Sequence, residues 1–298
     1  MHGLGNDFIV IDCLEQTCPP DTCLQALSRQ LCDRRFGVGA DQLLLLDRSA
    51  KADFRMRILN ADGSEVEMCG NGIRCVAQYI WDKKLSRKKA LDIETLAGII
   101  RPERSGNRVK VDMGEPVFDP GKIPVDINND NLDAHLATSN PPTPHLGKGG
   151  KGGFERVKII DYPLQIADRE FKVTCISMGN PHAVVFVDNL ADFPVAQYGP
   201  IIEIHPIFPR RTNVEFIQPV NRSEIKMRVW ERGSGETMAC GTGASAAAVA
   251  SCLKGLTEKK VTVHLNGGDL LIEHASNNHV YMTGPAEKVF EGVIDISY

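Results

Sequence analysis

The chain is patterned in short apolar runs separated by polar and glycine-rich turns. Three early runs, each bounded by Gly, Asp or Asn, predict β-strands over residues 8–11, 42–46 and 54–59. Leucines spaced three or four positions apart predict a helix over residues 24–36, and a second helix is expected over residues 72–81. The first part of the chain is therefore expected to combine strands with two helices.

The later part of the chain repeats this order of elements. Apolar runs predict strands over residues 184–187, 214–217 and 225–230, and a helix is expected over residues 243–253. Further alternating stretches, such as "RVKVDMG" and "KKVTVHL", follow each helix. Strands outnumber helices, which favours the α+β class over a regular βαβ alternation.

An internal repeat accounts for the similar order. A shift of 171 positions, from Cys69 to Cys240, lays "FRMRILNADGSEVEMCGNG" on "IKMRVWERGSGETMACGTG" and makes the flanking glycines coincide. We infer two copies of one unit, giving two pseudo-symmetric domains. Each unit is expected to lead from strand segments into one glycine-started helix. Polar positions also align, the last pair with three more residues of offset: Gln42/Asn213, Asn60/Glu231 and Asn6/Asn180.

Composition limits the classes of function. The 298 residues suit two domains, which we place at residues 1–115 and 116–284. A net charge of -4 gives no basic footprint for nucleic acid, and no apolar run approaches the length of a membrane span. The first residues do not read as a secretory signal, and nine cysteines, an odd number, favour a reducing compartment over a disulfide framework. These features predict a soluble, cytoplasmic protein without nucleic-acid or membrane partners.

Candidate chemistry lies in the duplicated Cys-Gly-x-Gly helix starts. A helix N-terminus offers unpaired N–H donors and a partial positive charge, which favour a bound carboxylate and lower the pKa of a cysteine. If the pseudo-twofold brings the two starts together, Cys69 and Cys240 flank one cavity from opposite sides. A thiolate on one face and a thiol on the other are what the inversion of a carbon stereocentre requires. The active site is therefore expected in the cleft between the domains.

Other interpretations of the cysteines remain open. An isolated cysteine is usually a small buried apolar residue, which is the expectation for Cys13, Cys18, Cys23, Cys32, Cys75, Cys175 and Cys252. Zinc binding is disfavoured because no Cys-x2-Cys or His-x3-His pair occurs. "GLGNDF" lacks the third glycine of a dinucleotide fingerprint. A cysteine hydrolase using one thiol with His182 as its base, and a non-catalytic amino-acid-binding module, are the alternatives kept.

The motifs resemble those of the diaminopimelate epimerase family. The resemblance rests on "GLGNDF", "NADGSEVEMCGNGIRC", "MGNPHAVVF", "RTNVEFI" and "RVWERGSGETMACGTGASA", from residue 3 to about residue 284. Proline racemase-like and PhzF-type enzymes are similar in fold but lack the full set. The resemblance implies interconversion of LL- and meso-2,6-diaminopimelate in lysine and peptidoglycan precursor synthesis, with no cofactor or metal, in a homodimer. It also implies that each domain wraps a mixed β-sheet or barrel around a central helix, and that a last strand, within residues 285–298, returns to the first domain.

The resemblance also assigns roles to individual residues. Cys69 and Cys240 become the acid/base pair, His182 assists them, and Glu231 takes the reacting ammonium group. Arg232 would pair with the distant carboxylate. The remaining substrate-binding residues are backbone donors and pocket amides: Gly70, Asn71, Gly241, Thr242, Asn6, Gln42, Asn60, Asn180 and Asn213.

Two stretches depart from the family pattern. Only Met1 and His2 precede "GLGN", where family members have residues of a first strand, so the edge of the first domain is expected to be incomplete. Residues 139–157, rich in Pro, Gly and Lys, are expected to form a surface loop or linker.

Overall fold

The computed structural model describes residues 1–14, 18–127 and 158–295. The loop expected at residues 139–157 lies outside the described residues. The first half contains a six-stranded sheet in sequential order and two helices. Its elements are β1 (His2–Gly3), β2 (Asn6–Asp12), α1 (Asp21–Cys32), β3 (Gln42–Asp47), β4 (Phe54–Asn60), α2 (Gly70–Asp82), β5 (Ile93–Thr95) and β6 (Gly98–Ile100).

The second half is built on an eleven-stranded sheet. Its elements are β7 (Glu103–Ser105), β8 (Arg108–Asp112), β9 (Tyr162–Ile166), β10 (Arg169–Ser177), β11 (Pro181–Phe186), α3 (Val195–Glu203), β12 (Asn213–Asn221), β13 (Glu224–Glu231), β14 (Gly235–Thr237), α4 (Gly241–Leu253), β15 (Lys260–Leu265), β16 (Gly268–His274) and β17 (Val280–Gly284). The strand order is β7-β8-β17-β16-β15-β13-β12-β11-β10-β9, with β14 paired to β13. Sheets with few helices confirm the α+β prediction.

Strand pairing repeats between the two halves. Strands β2 and β3 are parallel and β3 and β4 antiparallel, as are β11 with β12 and β12 with β13. The registers agree as well, since Phe8 faces Gln42 and, at the same station, His182 faces Asn213. Helices α2 and α4 are each 13 residues long and begin 171 positions apart. The repeat in the sequence is therefore a repeat in the structure.

Two arginine–glutamate pairs occupy matching places in the repeat. Arg57 donates to both carboxylate oxygens of Glu65 at 2.8 and 3.0 Å. Arg228 does the same to Glu236 at 2.7 and 3.1 Å. Both pairs fix the segment between a strand and a central helix, because each arginine lies on the strand before that segment and each glutamate lies within it, Glu236 on the short strand β14. These two bidentate arginine–glutamate pairs, the arginine forks of the repeat, hold the segments ahead of the two helices in the same way.

The two central helices share one core. A single buried apolar cluster includes residues from α2 and α4 together with strands of both halves. The alanine-rich sequence of α4 leaves almost every one of its residues buried, because small side chains let strands approach the helix axis closely. Helix α1 packs with β2 and β3 in a separate cluster, and α3 packs with β9 to β12 in a third. The central helices are thereby held rigidly relative to one another.

Helix α3 is absent from the sequence-based prediction. It contains Gly199 and Pro200, which normally argue against a helix. A Cβ atom on Gly199 would lie 2.6 Å from Trp230 Cγ, so the glycine permits close packing of α3 on β13. Burial of this contact outweighs the poor helix propensity. The predicted starts of α2 and α4 are also two residues late, since both helices begin at the glycine after the cysteine.

The end of the chain differs from the expected strand. Within residues 285–295, Glu287 forms a single β-bridge with His2, with two backbone hydrogen bonds of 2.9 Å, rather than a continuous strand. Residues 296–298 lie outside the described part. Arg74 Nε also donates to the carbonyl of Pro285 at 3.2 Å and Lys83 pairs with Glu291 at 2.9 Å, so the described end of the chain returns to the first domain. The division at residue 115 stays a prediction, although β7 and β8 already belong to the second sheet.

Four cysteines depart from the expectation of isolated buried residues: Cys23 and Cys252 are partly exposed, and Cys13 and Cys18 form a pair. Cys13 and Cys18 are joined by a disulfide with a Cα–Cα distance of 4.9 Å. They lie between β2 and α1, where five positions of separation allow the two side chains to meet. The expectation of an entirely reduced set of cysteines is wrong at this pair. At the chain start, the short strand β1 pairs with β2.

Candidate active site

Both cysteines of the repeat lie at the N-caps of the central helices. Cys69 precedes α2, and its Sγ accepts a hydrogen bond from the amide of Gly72 at 3.4 Å. Cys240 precedes α4, and its Sγ accepts from the amide of Gly243 at 3.4 Å. The sulfur atoms take the place of the oxygen of a Ser or Asp N-cap. Each thiol is therefore held in one orientation at the positive end of a helix.

The two helix starts lie against each other. Asn71, the second residue of α2, donates from Nδ2 to the carbonyl of Ala239 at 3.3 Å and to Asn6 Oδ1 at 3.2 Å. Both first residues also approach one methionine: a Cβ on Gly70 would lie 3.1 Å from Met282 Cε, and a Cβ on Gly241 2.8 Å from Met282 Sδ. Residues next to Cys69 and Cys240 are thus in contact, although 171 positions separate the two thiols.

Burial controls the electrostatics of the first thiol. It raises the pKa of Cys69, while the amides of Gly72 and Asn71 and the guanidinium of Arg74 act in the opposite direction. The carboxylate of Glu231 adds to the upward shift. The expectation that the helix N-terminus lowers the cysteine pKa is therefore wrong for this site, because desolvation exceeds the effect of the amides.

The second thiol lies in a more acidic environment. Burial raises the pKa of Cys240 well above its ordinary value, and Glu231 and Glu215 raise it further. Thr242 Oγ1, 3.4 Å from the sulfur, and the amide of Gly243 act in the opposite direction. Cys240 is therefore a thiol near neutral pH. The charge of Glu231 raises the pKa of both cysteines.

Glu231 belongs to the acidic side of the site. It ends β13 and accepts a hydrogen bond from Thr237 Oγ1. Burial raises its pKa, while the hydrogen bonds with Thr237 and Cys240 lower it. The sequence predicts Glu231 at the site, and the structure brings it to Cys240.

His182 is buried between two polar partners. Its Nδ1 lies 2.7 Å from Glu215 Oε1, and its Nε2 lies 2.9 Å from Asn180 Oδ1. His182 and Glu215 have no exposed surface. Both ring nitrogens are therefore engaged by side chains other than the two thiols. Glu215 was missed by the sequence analysis, and its only signal is its place two residues after Asn213 on a strand that was already assigned to the site.

The pocket amides fall into two groups related by the repeat. In the first half, Gln42 Nε2 donates to Asn60 Oδ1 at 2.8 Å, and Asn6 Nδ2 donates to Asp41 at 2.7 Å. In the second half, Asn213 Nδ2 donates to the carbonyl of Pro181 at 2.9 Å. Gln42 Oε1 is buried and has no protein partner in the described residues. Asn6 connects the first group to the start of α2, since its Oδ1 accepts from Asn71 Nδ2 at 3.2 Å.

Arg232 lies at the outer edge of this region. Its backbone amide donates to Asn213 Oδ1 at 3.0 Å, which fixes the residue to the start of β12. Its exposed side chain donates to the carbonyl of Arg210 at 3.2 Å. The guanidinium retains further donors for an anionic ligand. Among the described residues, no group of three or more His, Cys, Asp or Glu side chains is arranged to hold a metal ion.

Comparison with known proteins decides the family. A family model described as diaminopimelate epimerase matches residues 1–118 and 174–289, which include both thiols and the two helix starts. The chain belongs to the diaminopimelate epimerase family. It is 48% identical to the diaminopimelate epimerase of Acetivibrio thermocellus, covering 100% of this chain and 98% of the relative. It is 50% identical to that of Moorella thermoacetica, covering 98% and 96%.

Solved structures share the architecture at low sequence identity. A probable proline racemase from Agrobacterium radiobacter has a TM-score of 0.63 at 16% identity, covering 99% of this chain and 92% of that one. A PhzF-family protein from Bacillus anthracis has a TM-score of 0.63 at 16% identity, covering 96% and 92%. These likenesses confirm the two-domain fold and carry no information on substrate. Family membership makes the chain an isomerase of the epimerase type. Among the described helices, none combines the length and apolarity needed to cross a membrane.

Proposed function

We propose that this chain interconverts LL- and meso-2,6-diaminopimelate without a cofactor, with Cys69 and Cys240 as the acid/base pair. The observation that carries the proposal is the contact between the two helix starts, made by Asn71 Nδ2 and the carbonyl of Ala239. It holds two N-capping thiols in one region, each fixed by an amide of its own helix. Two thiols fixed in this way can serve the two faces of one carbon.

The helix starts supply the electrostatic stabilisation. Removal of an α-proton places negative charge on the substrate carboxylate, and N–H groups at helix N-termini stabilise that charge. The amides of Gly72 and Gly243 are taken by the sulfur atoms. We assign the preceding amides of α2 and α4 to the carboxylate, those of Gly70, Asn71, Gly241 and Thr242. Two helix dipoles then act on one carboxylate.

Proton transfer requires one thiolate and one thiol. The thiolate takes the α-proton, and the opposite thiol gives its proton to the other face of the carbanion. After turnover the two sulfur atoms have exchanged protonation states, so no net proton is consumed. Burial raises the pKa of both cysteines. The substrate ammonium group beside Glu231 offsets the negative charge of that carboxylate, which makes a thiolate easier to form.

The remaining residues recognise the other end of the substrate. Arg232, with free donors at the outer edge, takes the distant carboxylate. The amides Asn6, Gln42, Asn60, Asn180 and Asn213 line the path between Arg232 and the thiols. The buried Gln42 Oε1 suits the distant ammonium group, since it is an acceptor without a protein partner in the described residues. His182 positions Asn180 through its Nε2 rather than acting on substrate.

The decisive experiment is incorporation of solvent deuterium at the α-carbon of diaminopimelate, with chelator present and no cofactor added. We expect deuterium in the product isomer and conversion of each isomer into the other. Tight binding of diaminopimelate without exchange would instead identify a binding module. A covalent acyl-enzyme on one thiol, unaffected by loss of the other, would identify a cysteine hydrolase. The engagement of both ring nitrogens of His182 speaks against that alternative.

We further propose a homodimer in the cytoplasm, on the strength of the family resemblance. Light scattering on the purified chain tests the assembly, with about 65 kDa expected for two copies of the 32.7 kDa chain. A mass of one chain at micromolar concentration would rule out a stable dimer. Cell fractionation tests the compartment.

A further inference from the structure

Arg74 and Ser245 occupy the same station of the repeat, each four residues into its central helix. Arg74 Nη1 donates to the carbonyl of Gly70 at 3.1 Å, and Ser245 Oγ donates to the carbonyl of Gly241 at 2.9 Å. The hydrogen bond is conserved between the halves, whereas the charge is not. One helix carries a cation within two turns of its thiol, and the other carries a neutral hydroxyl.

The guanidinium of Arg74 is enclosed by the protein. The residue has no exposed surface, its Nε donates to the carbonyl of Pro285 at 3.2 Å, and its Nη2 has no hydrogen-bond partner in the described residues. Two glycines leave room for it: a Cβ on Gly3 would lie 3.0 Å from Nη2, and a Cβ on Gly284 3.2 Å from Nε. Backbone near both ends of the chain, at Gly3 and Gly284, therefore encloses the guanidinium of Arg74.

No carboxylate of the described residues neutralises this arginine. An arginine remains protonated even when burial lowers its pKa, as it does here. Burying an unpaired cation is costly, so a nearby group that can become an anion is expected. The ionisable groups that act on Arg74 are Cys75 and Cys69. Cys75 has no exposed surface and its pKa is raised to about 12, which leaves Cys69 as the group beside Arg74 that can become an anion.

The charges around the two thiols are unequal. Arg74 is bound to the carbonyl of Gly70, the residue after Cys69, and its charge lowers the pKa of Cys69 while that of Glu231 raises it. Helix α4 carries no cation, and the charges of Glu231 and Glu215 both raise the pKa of Cys240. A Cβ on Gly243 would lie 2.7 Å from Glu215 Oε1 and 3.3 Å from Cys240 Sγ, so this carboxylate is close to the second thiol. The amide hydrogen bonds to the two sulfur atoms are equal at 3.4 Å, so they do not distinguish the thiols. The difference is one buried guanidinium on one side and one additional buried carboxylate on the other.

We propose that Arg74 makes Cys69 the first of the two thiols to ionise as the pH rises, so that the singly ionised enzyme without substrate holds a thiolate at Cys69 and a thiol at Cys240. Arg74 is a positioning residue: its charge acts on the ionisation of Cys69, and it touches neither substrate nor reacting atoms. The inference rests on the proposed function, since the order of ionisation matters only if the two thiols form an acid/base pair. It predicts which thiol is the base in the first turnover from rest.

The test is the pH midpoint of alkylation at each thiol separately. The substrate-free enzyme is treated with iodoacetamide over a range of pH, and the modification of Cys69 and of Cys240 is quantified by peptide mass spectrometry. Differences in exposure change the maximum rate at each sulfur, whereas the midpoint reports its ionisation. We expect a lower midpoint at Cys69 than at Cys240. Arg74→Met should raise the Cys69 midpoint by about one pH unit or more.

Ser245→Ala is the matched control. It removes the corresponding hydrogen bond of α4 without changing charge, so both midpoints should stay within about 0.3 pH unit of the parent enzyme. If the pH midpoint of alkylation in the unmodified enzyme is lower at Cys240 than at Cys69, the proposal is overturned. This measurement needs no variant. An unchanged Cys69 midpoint in folded Arg74→Met also overturns it. Neither result depends on deuterium exchange, so failure here is distinguishable from failure of the proposed epimerase activity.

Discussion

Asn71 Nδ2 and the carbonyl oxygen of Ala239 lie 3.3 Å apart, although 168 positions separate the two residues in the chain. The contact joins the first turn of α2 to the residue immediately before Cys240. The same Nδ2 also donates to Asn6 Oδ1, while Asn71 Oδ1 is buried without a partner in the described residues. A single amide therefore ties the start of β2, the start of α2 and the start of α4 into one unit.

Replacing Asn71 should separate the two helix starts. Asn71→Ala removes both hydrogen bonds and leaves the Ala239 carbonyl without its side-chain donor, which should lower the free energy of unfolding by about 1–3 kcal/mol. Epimerisation should fall more than stability suggests, because small displacements of reacting groups are costly. Urea denaturation and steady-state rates measure the two effects. Asn277→Ala, at an exposed asparagine on the loop before β17, is the control and should change neither. Equal losses of stability and of epimerisation rate in Asn71→Ala and Asn277→Ala would contradict the role of Asn71 in joining the two helix starts.

Removing either thiol should stop epimerisation. Cys69→Ala or Cys240→Ala leaves one face of the α-carbon without its acid or base, and loss of such a group costs about 10²- to 10⁴-fold in rate. Each variant should still permit elimination or exchange from an analogue that needs only the remaining thiol. Interconversion of LL- and meso-diaminopimelate, followed by chiral chromatography, measures the loss. Cys252→Ala, near the far end of the helix that Cys240 begins, should retain full activity. Normal turnover by either active-site variant would eliminate the two-thiol mechanism.

The dependence of kcat/KM on pH should be shifted towards alkaline values. The free enzyme needs one thiolate and one thiol, so activity should rise as the first thiol ionises and fall as the second does. Burial raises the pKa of both Cys69 and Cys240. Since a raised pKa delays ionisation to higher pH, the rising limb should lie above the ordinary cysteine value of about 8.5. Glu215→Gln removes a carboxylate that raises the pKa of Cys240 and should move the falling limb to lower pH. A rising limb below pH 7 would show that burial does not control the thiols.

The arginine forks of the repeat should stabilise the fold. Arg228 donates to Glu236 and also to the carbonyls of Leu190 and Phe193 at 3.2 and 2.8 Å, so Arg228→Met leaves three acceptors without their partner. We expect a loss of about 2–3 kcal/mol in the free energy of unfolding. Arg222→Met is the matched control, because Arg222 is exposed and lies 3.9 Å from Glu258. That variant should lose less than about 0.5 kcal/mol. A similar loss in both would mean that the fork contributes no more than a surface pair.

The repeat and the helix starts could be predicted from sequence because their causes are local. Glycine beside cysteine fixes the N-cap, and an alanine-rich run of small residues predicts a buried helix wherever it occurs. Aligning Cys69 with Cys240 then places the pocket amides at matching strand ends, and the observed registers of β2–β3 and β11–β12 agree with that alignment. The same order of strands and helix start, present twice in the sequence, was enough to infer two copies of one α+β unit.

What sequence could not supply depends on contacts between distant residues. Helix α3 forms because Trp230 packs against Gly199, a contact that no local propensity reveals. The pKa of the thiols is raised because the fold buries them, and burial is a property of the assembled core rather than of the helix start. In the sequence Arg74 is an ordinary helical arginine, and only the fold brings Gly3 and Gly284 against it. Each of these features joins segments that are remote in the chain.

The disulfide between Cys13 and Cys18 should affect stability and leave catalysis unchanged. The bridge joins the end of β2 to the approach to α1, in a cluster away from the central helices. Closing a loop of this size should contribute about 2 kcal/mol, so denaturation with reductant should show a free energy of unfolding lower by that amount. Deuterium exchange into diaminopimelate should be the same in both conditions, because the bridge contacts neither thiol. Cys13→Ser/Cys18→Ser is the matched control: its denaturation curves with and without reductant should coincide. A reductant effect that persists in this double variant would place the sensitive cysteines elsewhere, at Cys69 and Cys240 first of all.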